Sequence, residues 1–174
     1  MFDDKAIIEF LRKSYFAADG LWFVRIEAEH SFEEAMRLDE QVWETLPKIQ
    51  ARKARELLRI EGGTLADLAL GLWLKFAAEG YDHRVVERTP DILRINISEC
   101  PWLRILEKAG RTSKAAELCD RICTRDFSTW AAQFSPGINF SLERKLSEGP
   151  PACELLFTRS AQIQPTPCAE REAA

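Results

Sequence analysis

The hydrophobic period of this chain changes from helical to alternating near Gly80, and that change limits what it can fold into. Before it, apolar residues recur every three or four positions. Ile7, Ile8, Leu11, Tyr15, Ala18, Trp22 and Ile26 share one face of a helix expected from Asp4 to His30, with Gly20 as the place where it can bend. Ser31-Phe32-Glu33-Glu34 reads as a capping box, in which hydroxyl and carboxylate reciprocally satisfy free backbone N–H groups at a second helix start. That helix is expected to reach about Ile60, kinked at Pro47 and ended by Gly62-Gly63. Its acids, Glu33 to Glu44, lie toward the positive end of the helix dipole and its bases, Lys48 to Arg59, toward the negative end. Thr64 caps a third helix that Gly80 closes.

Beyond Gly80 the apolar residues alternate. Tyr81, His83 and Val85, then Leu93, Ile95 and Ile97 after Thr89-Pro90-Asp91, predict a hairpin with one buried face. Cys100-Pro101 opens a short helix ending at Gly110, and Ser113 opens another expected to reach Phe134 before Ser135-Pro136-Gly137. A second hairpin follows, from Ile138 to Leu146 and from Cys153 to Phe157, across Glu148-Gly149-Pro150-Pro151. The expectation is a single α+β domain over 1–159, helical to residue 80. Its helices cover one face of an approximately four-stranded antiparallel sheet made of two hairpins. Residues 160–174, rich in proline and small polar residues, read as a disordered tail.

At 174 residues and 46% apolar composition the chain suits one core. Its richest apolar stretch, Leu65 to Ala78, is interrupted by Asp67 and Lys75 and falls short of the roughly 20 residues that cross a bilayer. No membrane span is expected, and the acidic start Met1-Phe2-Asp3-Asp4 is unlike an export signal. A cytoplasmic protein with reduced thiols follows as the expectation. A net charge of −4 argues against nucleic acid as a partner, and the basic stripe Lys48, Arg52, Arg55 and Arg59 reads as a solvated helix face. The oligomeric state, homo-oligomer included, stays open.

Cys100, Cys119, Cys123 and Cys153 are the residues with most chemistry to offer. Cys119 and Cys123 are four apart on a helix and share a face, Cys153 alternates with inward residues, and Cys100 stands at a strand-to-helix junction. Together they can be read as a tetrahedral thiolate set for a divalent metal such as zinc, although they lack paired C-x-x-C spacing. Plain burial explains them more simply, since free cysteine is among the most buried residue types. Cys100 is the candidate nucleophile, because a sulfur at a helix N-terminus gains thiolate character. Asp126 follows Cys123 by three and shares its face, an arrangement suited to ligation. Trp22, Trp43 and other aromatics can line an apolar pocket, with Asp19, Glu27, His30 and Asp39 as polar anchors.

Glu99-Cys100-Pro101-Trp102, Leu118-Cys119, Ile122-Cys123-Thr124-Arg125-Asp126, Gly149 and Cys153-Glu154-Leu155-Leu156-Phe157 carry a family likeness. This pattern resembles the L-2-amino-thiazoline-4-carboxylic acid hydrolase-like family, whose members pair a Cys-x-x-Asp helix with a final Gly-x-x-x-Cys strand. Asp19-Gly20-Leu21-Trp22-Phe23 and Val42-Trp43 are similar to uncharacterised relatives of that group. Glu154 stands where the family tends to show Asp, and Leu156 where it shows a basic residue. More distantly, the ending is similar to ligand-binding domains related to 4-vinyl reductases. The first resemblance implies a hydrolase opening a small heterocyclic or polar substrate at Cys100, Cys123 and Asp126. A metal held by Cys123, Asp126 and Cys153, completed by Cys100 or Cys119, would polarise the water. The second implies a non-catalytic domain that binds a small ligand or responds to metal or oxidant.

Overall fold

The computed structural model describes residues 2–159; the tail expected over 160–174 lies outside the described residues. Helix α1 spans Asp4–Glu29, with Asp3 capping it through a 2.7 Å bond from the Ala6 N–H. Helix α2 spans Phe32–Leu58 and continues through Pro47. Ser31 caps it as expected, accepting from the Glu34 N–H, but the reciprocal half of the capping box is absent because Arg37 engages the Glu34 carboxylate. A complete box forms instead at α3, Leu65–Glu79, where Thr64 and Asp67 exchange bonds. Gly80 ends α3 at φ 84°, a conformation that favours glycine.

Strands β1 (Asp82–Arg88) and β2 (Ile92–Glu99) form the first hairpin, with Thr89 Oγ1 accepting the Asp91 and Ile92 N–H groups across the turn. Strands β3 (Ile138–Arg144) and β4 (Cys153–Arg159) form the second. The sheet order is β1-β2-β4-β3, antiparallel throughout, because β2 pairs with β4 and joins the hairpins. This is a single α+β domain with the architecture expected from the alternation. One detail differs: Leu146 belongs to a 3₁₀ turn, Leu146–Glu148, after a register break at Leu142/Arg144 ends β3.

Between the hairpins lie α4 (Pro101–Lys108), a short turn at Thr112–Lys114, and a continuous helical run. That run comprises α5 (Ala115–Leu118), a π-helical turn at Cys119–Cys123, and α6 (Thr124–Phe134). The extra residue of a π turn shifts the faces before and after it, a distortion found frequently at functional sites. Here it begins at Cys119 and ends at Cys123.

Leu93, Ile95 and Ile97 of β2, with Leu155 and Phe157 of β4, turn one sheet face toward α3 and α6. The other face carries Arg94, held by Glu87 and Glu154 across the strands. Leu68, Leu72, Phe76, Phe127 and Trp130 complete the core, each such side chain contributing roughly 1.5–3 kcal/mol by burial. Helix α2 packs against α3 and α6, and α1 packs on α2. Of α1 only Phe16 is buried; Arg12 tethers the helix to the open end of α3 through the Ala77 and Ala78 carbonyls.

Candidate functional site

Helix α3 is the most apolar in the fold, yet Lys75 and Glu79, one turn apart, point inward from it. The Lys75 side chain is 1% exposed. Its Nζ donates to Glu79 Oε1 at 2.8 Å and to Gln50 Oε1 at 3.3 Å, and lies 3.1 Å from Asp126 Oδ2. It also faces the rings of Trp43 and Trp130, each 5.7 Å away. The Trp102 indole N–H reaches Glu79 Oε2 at 3.3 Å. Desolvation works against the Lys75 charge, but Asp126 and Glu79 outweigh it and hold the ammonium above its ordinary pKa. For Asp126 burial outweighs Lys75, and its carboxyl is pushed up to about 6. Asp126 Oδ1 accepts no hydrogen bond.

Beside this buried group opens a cavity of about 370 Å³ between α1, α2, α4 and the π turn, with Asp126 in its wall. Its surface is almost wholly apolar, with Phe16, Phe23, Trp43, Trp102, Leu103 and Ile122 prominent. Edge-to-face packing fixes the aromatic part, Trp102 meeting Phe16 at 4.5 Å and Trp43 at 5.4 Å between centroids. Two further carboxyls line it, Asp19 of α1 and Asp39 of α2. Burial, then the charge of Glu79, pushes Asp19 up to about 6. Burial, then Asp19, pushes Asp39 up to about 7, against a hydrogen bond from Trp43. The surrounding elements are clamped by charge: Arg111 meets Glu27 of α1 at 2.6 Å, and Arg121 in the π turn grips Glu40 of α2 with bonds of 2.9 and 3.1 Å.

Asp19 and Trp43 thus lie where a pocket was expected. Trp22 does not: its position on α1 turns it outward, 72% exposed, and it is not part of the cavity wall. Cys100, Cys119 and Cys123 reach the wall, while Cys153 sits behind it and accepts the Leu146 N–H at 3.2 Å. The tetrahedral thiolate set is not formed. Among the described residues no three His, Cys, Asp or Glu side chains are grouped to hold a metal ion. The reason is electrostatic at Asp126, where the Lys75 ammonium already occupies the place a metal charge would take. These residues do not fit a bound divalent metal.

The order of thiol reactivity also differs from expectation. Cys100 does occupy the helix cap, but burial outweighs the Leu103 and Trp102 N–H groups and pushes its thiol up to about 12. Cys123 is raised well above its ordinary value, because its proton is held by Cys119 and it is buried. Cys119 receives that hydrogen bond and is lowered to about 7 despite its own burial, aided by Ser147 and Lys145. Of the three thiols at the cavity wall, Cys119 is the one whose pKa is lowered.

A family model matches residues 3–151, covering both the helical half and all but the last strand. The chain belongs to the family of unknown function DUF6125. No curated protein and no solved structure matches it. Within this DUF6125 chain, no helix among the described residues is long and apolar enough to cross a membrane.

Proposed function

We propose that this DUF6125 domain binds a small, largely apolar molecule in the cavity between α1, α2 and α4. The observation that carries this reading is the cavity itself: about 370 Å³, with apolar walls among which Asp19, Asp39 and Asp126 stand. Natural ligand sites of this size combine an apolar lining with a few convergent polar groups in the same way. A neutral hydrophobic fluorophore, N-phenyl-1-naphthylamine, tests it. One saturable site per chain, lost in Leu103→Trp with folding intact, is the expected result. Absence of saturable binding, or binding unchanged by Leu103→Trp, overturns the reading.

A second reading makes the domain a cytoplasmic hydrolase of small heterocycles, in keeping with its resemblance to the L-2-amino-thiazoline-4-carboxylic acid hydrolase-like family. Cys119 favours it, because a thiol lowered to about 7 beside a ligand-sized cavity is a nucleophile at neutral pH. In this reading Cys119 takes the role expected of Cys100 and Cys123, and no metal is involved in holding the substrate. Turnover of a heterocyclic amide or thiazoline library, abolished in Cys119→Ser but retained in Cys100→Ser, is its test.

A further inference from the structure

The polar groups of the cavity are unbalanced in charge. Asp19, Asp39 and Asp126 in its wall are all carboxyls, and the one ammonium beside them, Lys75, is held between Asp126 and Glu79. Arg111, also at the wall, is engaged by Glu27. The charged groups that act on Asp19 and Asp39 are themselves acids: Glu79 on the first, Asp19 and Glu40 on the second. Asp126, 4% exposed, is already paired with Lys75 at 3.1 Å, which leaves Asp19 and Asp39 as the cavity acids without a cation. The other titratable groups at the wall, Tyr81, Cys100, Cys119 and Cys123, bring no positive charge. A buried carboxylate without a counter-ion is costly, and a cationic ligand removes that cost. Phe16, Trp43 and Trp102 line the same cavity, packed edge to face on one another, and an aromatic wall of this kind attracts an ammonium group.

We propose that the ligand is an organic cation: an amine or quaternary ammonium group set between Asp19 and Asp39, carried on an apolar body that lies against Phe16, Trp43 and Trp102. This rests on the ligand-binding reading above and specifies its chemistry. A ligand carboxylate would meet two unpaired carboxyls here, and a neutral hydrocarbon would leave them uncompensated.

Calorimetric titration of the full chain at pH 8 with octyltrimethylammonium, octylamine, octanol and octanoate separates the two ideas. The expected result is that both cations bind at least tenfold tighter than octanol, and octanoate weakest of the four. Asp19→Asn and Asp39→Asn, two near-isosteric changes on different helices, are expected to weaken cation binding about tenfold each while octanol binding changes less than twofold. Equal binding of cation and alcohol, or preference for octanoate, overturns the cation proposal and leaves the cavity reading standing. Failure of all four to bind, together with N-phenyl-1-naphthylamine, overturns both. Retention of full cation affinity in both Asn variants also overturns the proposal, even if the cations bind well.

Discussion

Replacing Lys75 by methionine keeps nearly the same length and flexibility while deleting one charge, so it isolates the electrostatic role of the buried ammonium. In the native protein this group has two carboxylate partners at 2.8 and 3.1 Å, the Gln50 amide at 3.3 Å and two indole faces at 5.7 Å. Lys75→Met leaves Glu79 and Asp126 buried with no cation between them. Breaking a buried pair in this way costs about 3–5 kcal/mol, because the stranded charge is left desolvated. For a domain of this size each 1 kcal/mol lowers Tm by roughly 2–4 °C, so a fall of about 6–20 °C is expected at pH 8. The sign of the pH dependence follows from Asp126. Its folded pKa is raised to about 6 even with Lys75 present, and removing the cation raises it further. In the variant the native state therefore holds a proton that the unfolded chain releases above about pH 4, so the penalty grows with pH and shrinks on acidification. The variant should recover much of its lost stability between pH 8 and pH 5. Lys75→Met combined with Asp126→Asn should be more stable at pH 8 than Lys75→Met alone. Urea unfolding at both pH values measures this, and a variant within 1 kcal/mol of wild type at pH 8 would refute the view that the group is desolvated and mutually dependent.

Asp39→Asn should stabilise the empty protein at pH 8 and not at pH 4. The native carboxyl keeps its proton to about pH 7 whereas the unfolded one releases it near 3.8, so wild type loses stability across that interval. Three units correspond to at most about 4 kcal/mol; with water reaching the cavity mouth, a gain of about 1–2 kcal/mol is expected, read from unfolding at the two pH values. Iodoacetamide at pH 7.5 should alkylate Cys119 well ahead of Cys100, Cys123 and Cys153, as peptide mass mapping of the first modified species will show; Cys100 leading would invert the order derived above. Gly71→Ala in α3 should destabilise by about 1–2 kcal/mol. A Cβ there would come within 2.6 Å of the Phe134 ring, and the overpacking penalty exceeds the roughly 1 kcal/mol that alanine gains in a helix. An unchanged or raised melting temperature would mean the ring moves freely.

The fold was legible because its local signals agree with one another. The switch of period at Gly80, the caps at Ser31 and Thr64, and the alternation of Leu93-Ile95-Ile97 and Leu155-Phe157 each name an element and its buried face. The departures come where two local signals compete. Arg37 outbids the Glu34 carboxylate's own backbone target, and Leu146, alternating correctly with Leu142, is drawn into a 3₁₀ turn by the break in register at Arg144. The π turn had no local mark. Its cysteines sit four apart in the sequence, which is all that an ordinary α-helix would require.

The site was half legible, and the missing half shows why. Asp19, Asp39, Trp43 and Asp126 could be named because aromatics and carboxylates on amphipathic helices are conspicuous, but Lys75 looked like a mere interruption of an apolar run. That interruption was the signal. A lysine and a glutamate one turn apart, with Leu72 and Phe76 between and beside them, cannot both reach water from a helix buried on its sheet-facing side. Such a pair must find its partners inside, and the partners then organise the interior: Gln50 from α2, Trp102 from α4 and Asp126 from α6 all converge on it. Reading the cysteines as the centre of the site drew attention to a metal, whereas the electrostatics place the one buried cation on Lys75 and leave the cavity acids uncompensated. One charge of fixed position thus disfavours a metal at Asp126 and, by covering only part of the negative charge around it, leaves room for the positive end of a ligand.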